Sequence, residues 1–147
     1  MCFCGLRISD VKALTWGDVE KDGEHWKLKI RQQKTQAPLY LPLSEQAKKF
    51  IPERGEATDD DLVFANLPCE QSMNRHLKDW AKAAGIKKKV TLHTARHTFA
   101  TLTLTKGGDI YTVSKLLGHA DIQTTQVYAK IVDKKKVEAV NMLNDIL

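Results

Sequence analysis

The sequence is poor in cysteine, with three, at positions 2, 4 and 69, and no C-x-x-C pair. An odd, unpaired set argues against a disulfide scaffold and against a zinc site, and it fits a reducing cytoplasm. Proline (4) and glycine (8) are scarce among 147 residues, which excludes a collagen-like or low-complexity chain. No apolar run approaches the roughly 18 residues that a membrane helix needs. Met1-Cys2-Phe3-Cys4-Gly5 lacks the basic start and long apolar stretch of a signal peptide. A soluble cytoplasmic protein with no membrane partner is expected. Acidic residues are in the minority, 18 against 23 Lys and Arg, for a formal charge of +5. Positive potential concentrates phosphates, so nucleic acid and a plain basic domain both fit this balance. The length suits one domain with a core of ordinary size.

What is present is a clear change of period along the chain. Gly5 to Leu14 puts Arg7, Val11 and Leu14 on one helical face and ends at Thr15-Trp16-Gly17-Asp18. Lys21-Asp22-Gly23-Glu24 reads as a turn. Trp26, Leu28 and Ile30 then alternate with Lys27, Lys29 and Arg31, and Leu39, Leu41 and Leu43 alternate again, which predicts a hairpin or three-stranded meander with Lys34 in its connecting turn. Ser44 can cap a helix to about Phe50. Pro52 to Asp61 is polar and loop-like, and Leu62-Val63-Phe64 is a short apolar run of undecided type.

The C-terminal half is helical in period. Ser72 to Ala84 carries Met73, Leu77, Trp80 and Ala84 at helical spacing, and Gly85 stops it. After Lys87-Lys88-Lys89, a helix from about Thr94 to Lys106 is expected to bury Ala95, Phe99 and Leu102. Asp109 caps the next helix, with Ile110, Val113, Leu116 and Leu117 inward, and Gly118 ends it. A short helix holds Ile122 to about Tyr128. A last one runs from Asp133 with Val137, Val140, Leu143 and Leu147 on one stripe, behind the Lys134-Lys135-Lys136 run. The expected fold is α+β, a mostly helical domain with one small antiparallel sheet.

Taken singly, the polar residues along this frame read as ordinary surface groups. Arg7 can pair with Asp10 three residues on, a contact of little energy if exposed. His93 and Arg96 share the entry face of one helix, His119 follows a helix stop, and Tyr128 is an aromatic in Thr124-Thr125-Gln126-Val127-Tyr128. Lys87-Lys88-Lys89 suits either a DNA backbone or a solvated face.

Their order carries more. Gly5-Leu6-Arg7, Leu14-x-Trp16-x-Asp18-Val19, Lys34-Thr35, Leu41-Pro42-Leu43, His93-x-x-Arg96-His97-Thr98-Phe99-Ala100-Thr101, Leu117-Gly118-His119 and Tyr128 resemble the tyrosine recombinase (phage integrase) family over nearly the whole chain. The resemblance implies a site-specific DNA recombinase or integrase of a mobile element, using neither metal nor cofactor. Tyr128 would be the nucleophile, forming a 3′-phosphotyrosyl link. Arg7 and Arg96 would clamp the phosphate, Lys34 on a mobile turn would protonate the leaving 5′ oxygen, His93 would be an acid–base group or a donor to the phosphate near Tyr128, and His119 would donate a hydrogen bond to the phosphate. Asp10 and His97 are expected to support these groups. The implied partners are double-stranded DNA and further copies of the chain, as a tetrameric synapse in the full-length protein. Two positions depart from the family's usual text, Ala95 for leucine and Lys130 for histidine. Arg7 lies so near the start that residues 1–147 are expected to be a catalytic domain whose upstream core-binding domain is missing. A type IB topoisomerase-like enzyme, an inactive DNA-binding module and a basic RNA-binding domain are the competing readings.

Overall fold

Alternating side chains decide the sheet. The computed structural model describes residues 1–128 with Val140 and Asn141, and its three strands are β1 (Val19–Asp22), β2 (His25–Arg31) and β3 (Pro38–Pro42), antiparallel in sequence order. The register sets Leu28 opposite Leu41 and Ile30 opposite Leu39, and all four are buried. The other face is wet: Lys29 lies opposite Tyr40, and the ammonium groups of Lys27 and Lys29 stand 3.0 and 3.7 Å from the Glu20 carboxylate. Exposed pairs of this kind contribute little, so the apolar face holds the meander. Gly23 turns the first hairpin at φ +58°.

The chain divides into two compact units, Met1–Phe99 and Ala100–Leu147. In the first, helix α1 (Ile8–Ala13) is shorter than the expected Gly5–Leu14. Gly5 sits at φ +67°, which no helix can include, and Arg7 is extended as the residue preceding the first turn. Thr15 and Asp18 then form a capping box over a 3₁₀ turn, Trp16–Asp18. Trp16 N and Gly17 N donate to the carbonyls of Asp61 and Asp59, at 3.0 and 2.8 Å, and so fasten the polar loop. The undecided Leu62-Val63-Phe64 run is a bridge: Leu62 pairs with Thr15, and Val63 N donates to Leu14 O at 2.9 Å. Helix α2 (Glu45–Lys48) is capped by Ser44, whose Oγ accepts from Ala47 N. Leu6, Leu14, Leu28, Leu43 and Ala47 meet around an apolar cavity of about 90 Å³.

Two helical stripes differ from the sequence reading. Helix α3 (Glu70–Ala83) leaves Trp80 60% exposed, and Ala84 lies beyond its end. The inward positions are Met73, Leu77 and Ala81, spaced by four, with Trp80 one step round the helix from Ala81. Helix α4 (Leu92–Thr105) buries Arg96, Ala100 and Leu104 and leaves Leu102 46% exposed. The expected Ala95–Phe99–Leu102 stripe is thus rotated, because a polar residue occupies the buried face and hides it from a reading by hydrophobicity.

In the second unit, helix α5 (Ile110–Leu117) starts at Asp109, whose carboxylate accepts from Thr112 N at 2.8 Å, and ends at Gly118 in the left-handed region. Val113, Ser114 and Leu117 are buried. A 3₁₀ segment, Ile122–Tyr128, follows. The expected final helix, with Val137, Leu143 and Leu147 and the Lys134–Lys136 run, lies outside the described residues apart from Val140 and Asn141, both helical. No described helix is long and apolar enough to cross a membrane.

Leu41 is 1% exposed and its neighbour Tyr40 is 61% exposed. Leu41→Ala is expected to cost about 2–5 kcal/mol through forfeited transfer energy and a residual cavity. Tyr40→Thr, on the wet face and β-branched, should stay within about 0.5 kcal/mol. Urea denaturation of both variants checks the assignment of faces.

Candidate functional site

In the first unit, four of the six residues singled out by sequence are drawn toward one place. Arg96, on α4, is 5% exposed and its Nη1 donates to the carbonyl of Gly5 at 2.5 Å. Arg7 stands two residues beyond that carbonyl. Its side chain is 20% exposed, its Nη1 is buried with no hydrogen-bond partner, and it lies 3.9 Å from Oδ2 of Asp10, which is buried and equally unpartnered. At that distance the pair attracts electrostatically without a hydrogen bond.

Asp10 also reaches the hairpin. Its Oδ1 accepts from Gln33 N at 2.8 Å, so one buried carboxylate ties the start of α1 to the turn that carries Lys34. That turn, expected to be mobile, is fastened there and closed on itself. Gln32 and Ala37 bond across it, Thr35 Oγ1 donates to Gln32 Oε1 at 2.7 Å, and Gln36 adopts φ +56°. The Lys34 side chain remains exposed.

His93 occupies the first turn of α4, whose entry is fixed by Leu92 N donating to Asn74 Oδ1 of α3 at 2.9 Å. Partial desolvation holds the His93 pKa below its usual value. The charges of His97, Arg96, Arg7 and Lys34 lower it further, in that order. That order is consistent with Arg7, Lys34 and Arg96 lying within electrostatic reach of one imidazole.

The other two residues belong to the second unit. His119 follows the left-handed Gly118, and its Nδ1 lies 2.8 Å from Oγ1 of Thr125, which is fully buried. Tyr128 closes the 3₁₀ segment and is 9% exposed. Lys87, Lys88 and Lys89 are all exposed, and with Arg75, Lys78 and Lys82 of α3 they line an open groove of about 970 Å³ in the first unit. None of the residues lining that groove is acidic.

Sequence reasoning missed several of these supports. Arg75, Lys78 and Lys82 recur at helical spacing, a signal passed over in favour of the apolar stripe of α3. The Gly5 carbonyl, Asn74 and Thr125 act through hydrogen bonds to residues between 6 and 91 positions away, and no local pattern announces them.

The model of the phage integrase family matches residues 1–135. A tyrosine recombinase of Pseudothermotoga lettingae is 35% identical over 96% of this chain and 50% of that protein. Among solved structures, the XerA recombinase is 29% identical with a TM-score of 0.72, covering 94% of this chain and 53% of the other. The XerH site-specific recombinase, in a pre-cleavage complex with its difH substrate, has a TM-score of 0.69 at 24% identity, over 86% of this chain and 40% of that one, a likeness of fold. The chain spans about half the length of these relatives. With the family model matched over residues 1–135 and a relative 35% identical over 96% of this chain, the chain belongs to the phage integrase family.

Proposed function

We propose that this chain is the catalytic part of a site-specific tyrosine recombinase of a mobile element, one that cuts and rejoins double-stranded DNA in the cytoplasm through a 3′-phosphotyrosyl intermediate. The observation that carries the reading is the buried, unpartnered Nη1 of Arg7 beside a buried Arg96, with His93 and Lys34 in electrostatic reach. Donors left without acceptors in a cationic setting are suited to an anion.

The chemistry follows from the groups. Oη of Tyr128 attacks the scissile phosphorus, a P–O bond to tyrosine forms, and the P–O5′ bond breaks. The 5′ oxygen takes its proton from Nζ of Lys34. A tyrosine of ordinary pKa, about 10, is a weak nucleophile at neutral pH, so its proton must go to a base. His93, whose pKa is lowered first by partial desolvation and then by the charges around it, can take it. Arg7 and Arg96 meet the non-bridging oxygens, whose charge grows in the phosphorane. Where the Thr125 hydroxyl donates to Nδ1, the proton of His119 sits on Nε2, the atom it would offer to the phosphate; in the other tautomer Nδ1 donates to Thr125. Attack by a 5′ hydroxyl on the phosphotyrosine reverses the step, and exchange between duplexes requires several copies, as in a tetrameric synapse. The Lys87–Lys89 groove would follow the DNA backbone.

Tyr128→Phe in the full-length protein is expected to abolish the covalent adduct on a nicked suicide substrate while DNA affinity is kept. A wild-type yield of adduct from that variant removes Tyr128 from the mechanism. A wild-type protein that binds DNA without any adduct favours the inactive-module reading.

Since guanidinium groups supply the charge at the phosphate, cleavage with excess chelator should run at the untreated rate. Loss of activity that magnesium restores contradicts the scheme.

Replacing Lys87, Lys88 and Lys89 together by Gln is expected to weaken DNA binding at all sequences alike. It should also flatten the slope of log affinity against log salt by about 0.9 for each phosphate that the variant no longer neutralises. An unchanged slope assigns the run to solvent.

A further inference from the structure

We infer that His97 is a positioning residue that acts through His93, holding that ring edge-on and in its neutral form within the arginine cluster. The role given to His93 rests on the recombinase reading above; the contact itself does not. His93 and His97 are four apart on α4, so their side chains stack one turn over another. Their ring centroids are 4.4 Å apart at an interplanar angle of 89°. In that arrangement the positive edge of one ring meets the negative face of the other, a preferred aromatic geometry. Both residues are exposed on the helix surface, and the perpendicular contact between them is one that orients the His93 ring.

The charged groups bearing on His93 come from three elements. Arg96 and His97 lie on α4, Arg7 at the start of α1 with its partner Asp10, and Lys34 on the hairpin turn. At a centroid separation of 4.4 Å the two imidazoles tolerate a second positive charge poorly, so the His97 ring opposes protonation of His93 and leaves it free to accept a proton from a phenol. The direction of the His93 shift, with His97 the largest contribution after desolvation, agrees with this.

The test uses the full-length protein and two variants. His97→Phe keeps an aromatic ring and removes its proton, whereas His97→Gln removes the ring as well. Imidazole resonances are followed by NMR against pH, with the His93 signal assigned by its loss in His93→Gln. The expected result is an upward move of the His93 midpoint in both variants. In His97→Phe the acid limb of the cleavage pH profile should rise in step while its plateau is kept. In His97→Gln, kcat should fall with KM for DNA unchanged, because the ring is no longer oriented.

An unmoved His93 midpoint in the folded variants overturns the inference, and so does failure of both variants to fold, which makes His97 structural. The NMR arm needs no activity. Wild-type protein that forms no adduct but shows the midpoint shift contradicts the recombinase reading alone, and adduct formation without the shift contradicts this inference alone.

Discussion

A guanidinium on the buried side of a helix is the constraint around which this chain is arranged. Removing a charge from water costs several kcal/mol unless it is met by well-placed partners, yet Arg96 is 5% exposed. Its Nη1 donates to the neutral carbonyl of Gly5. The bond needs the chain to bend at residue 5, and glycine supplies φ +67° there without the strain a side chain would bring. The same bend sets Arg7 outside the helix, extended, two residues from Arg96's anchor. One hydrogen bond across 91 positions therefore ties Arg96 to the segment that carries Arg7.

Asp10 makes such a concentration of cations tolerable. It is the buried acid of the group, and it divides its two oxygens between tasks: Oδ1 accepts from the Lys34 turn and Oδ2 faces Arg7 at 3.9 Å. A fully formed Arg–Asp fork would stabilise the pair but occupy the donors. The observed spacing leaves Nη1 of Arg7 and Oδ2 of Asp10 both without hydrogen bonds, at a cost of about 1–3 kcal/mol for each buried group. Unmet demand of that size is where a ligand gains most on arrival.

How much of this was legible in the sequence depended on whether a residue announces itself by period. The meander was, because Leu28 and Ile30 alternate with Lys27, Lys29 and Arg31, Leu39 and Leu41 alternate with Pro38, Tyr40 and Pro42, and the register sets the two apolar sets opposite one another. Helix ends at Ser44, Asp109 and Gly118 were, because capping chemistry is local. The inner face of α4 was not: Arg96 sits on it, and a scale of hydrophobicity assigns arginine to water. Trp80 erred the other way, an apolar side chain one step off the stripe of α3 and left in solvent. The site residues themselves came from the order of motifs along the chain. Their supports, Gly5, Asn74, Gln33 and Thr125, are joined by tertiary hydrogen bonds and have no linear signature.

The grouping of charge also explains why a basic cluster and a stable fold are compatible. Lys34, Arg7 and Arg96 repel one another and depress proton binding at His93. That repulsion is borne by a frame made elsewhere, from the leucine face of the sheet, the Gly5 bond and the Asp10 link. On the proposed reading, an incoming phosphodiester would relieve it in part, and a pentavalent phosphorane, with more negative charge, would relieve it further. The difference between those two reliefs is what lowers a barrier, since only interactions stronger in the transition state than in the ground state accelerate the chemical step. A frame that holds Nη1 of Arg7 without a hydrogen-bond partner is, on that reading, preorganised for the more highly charged species.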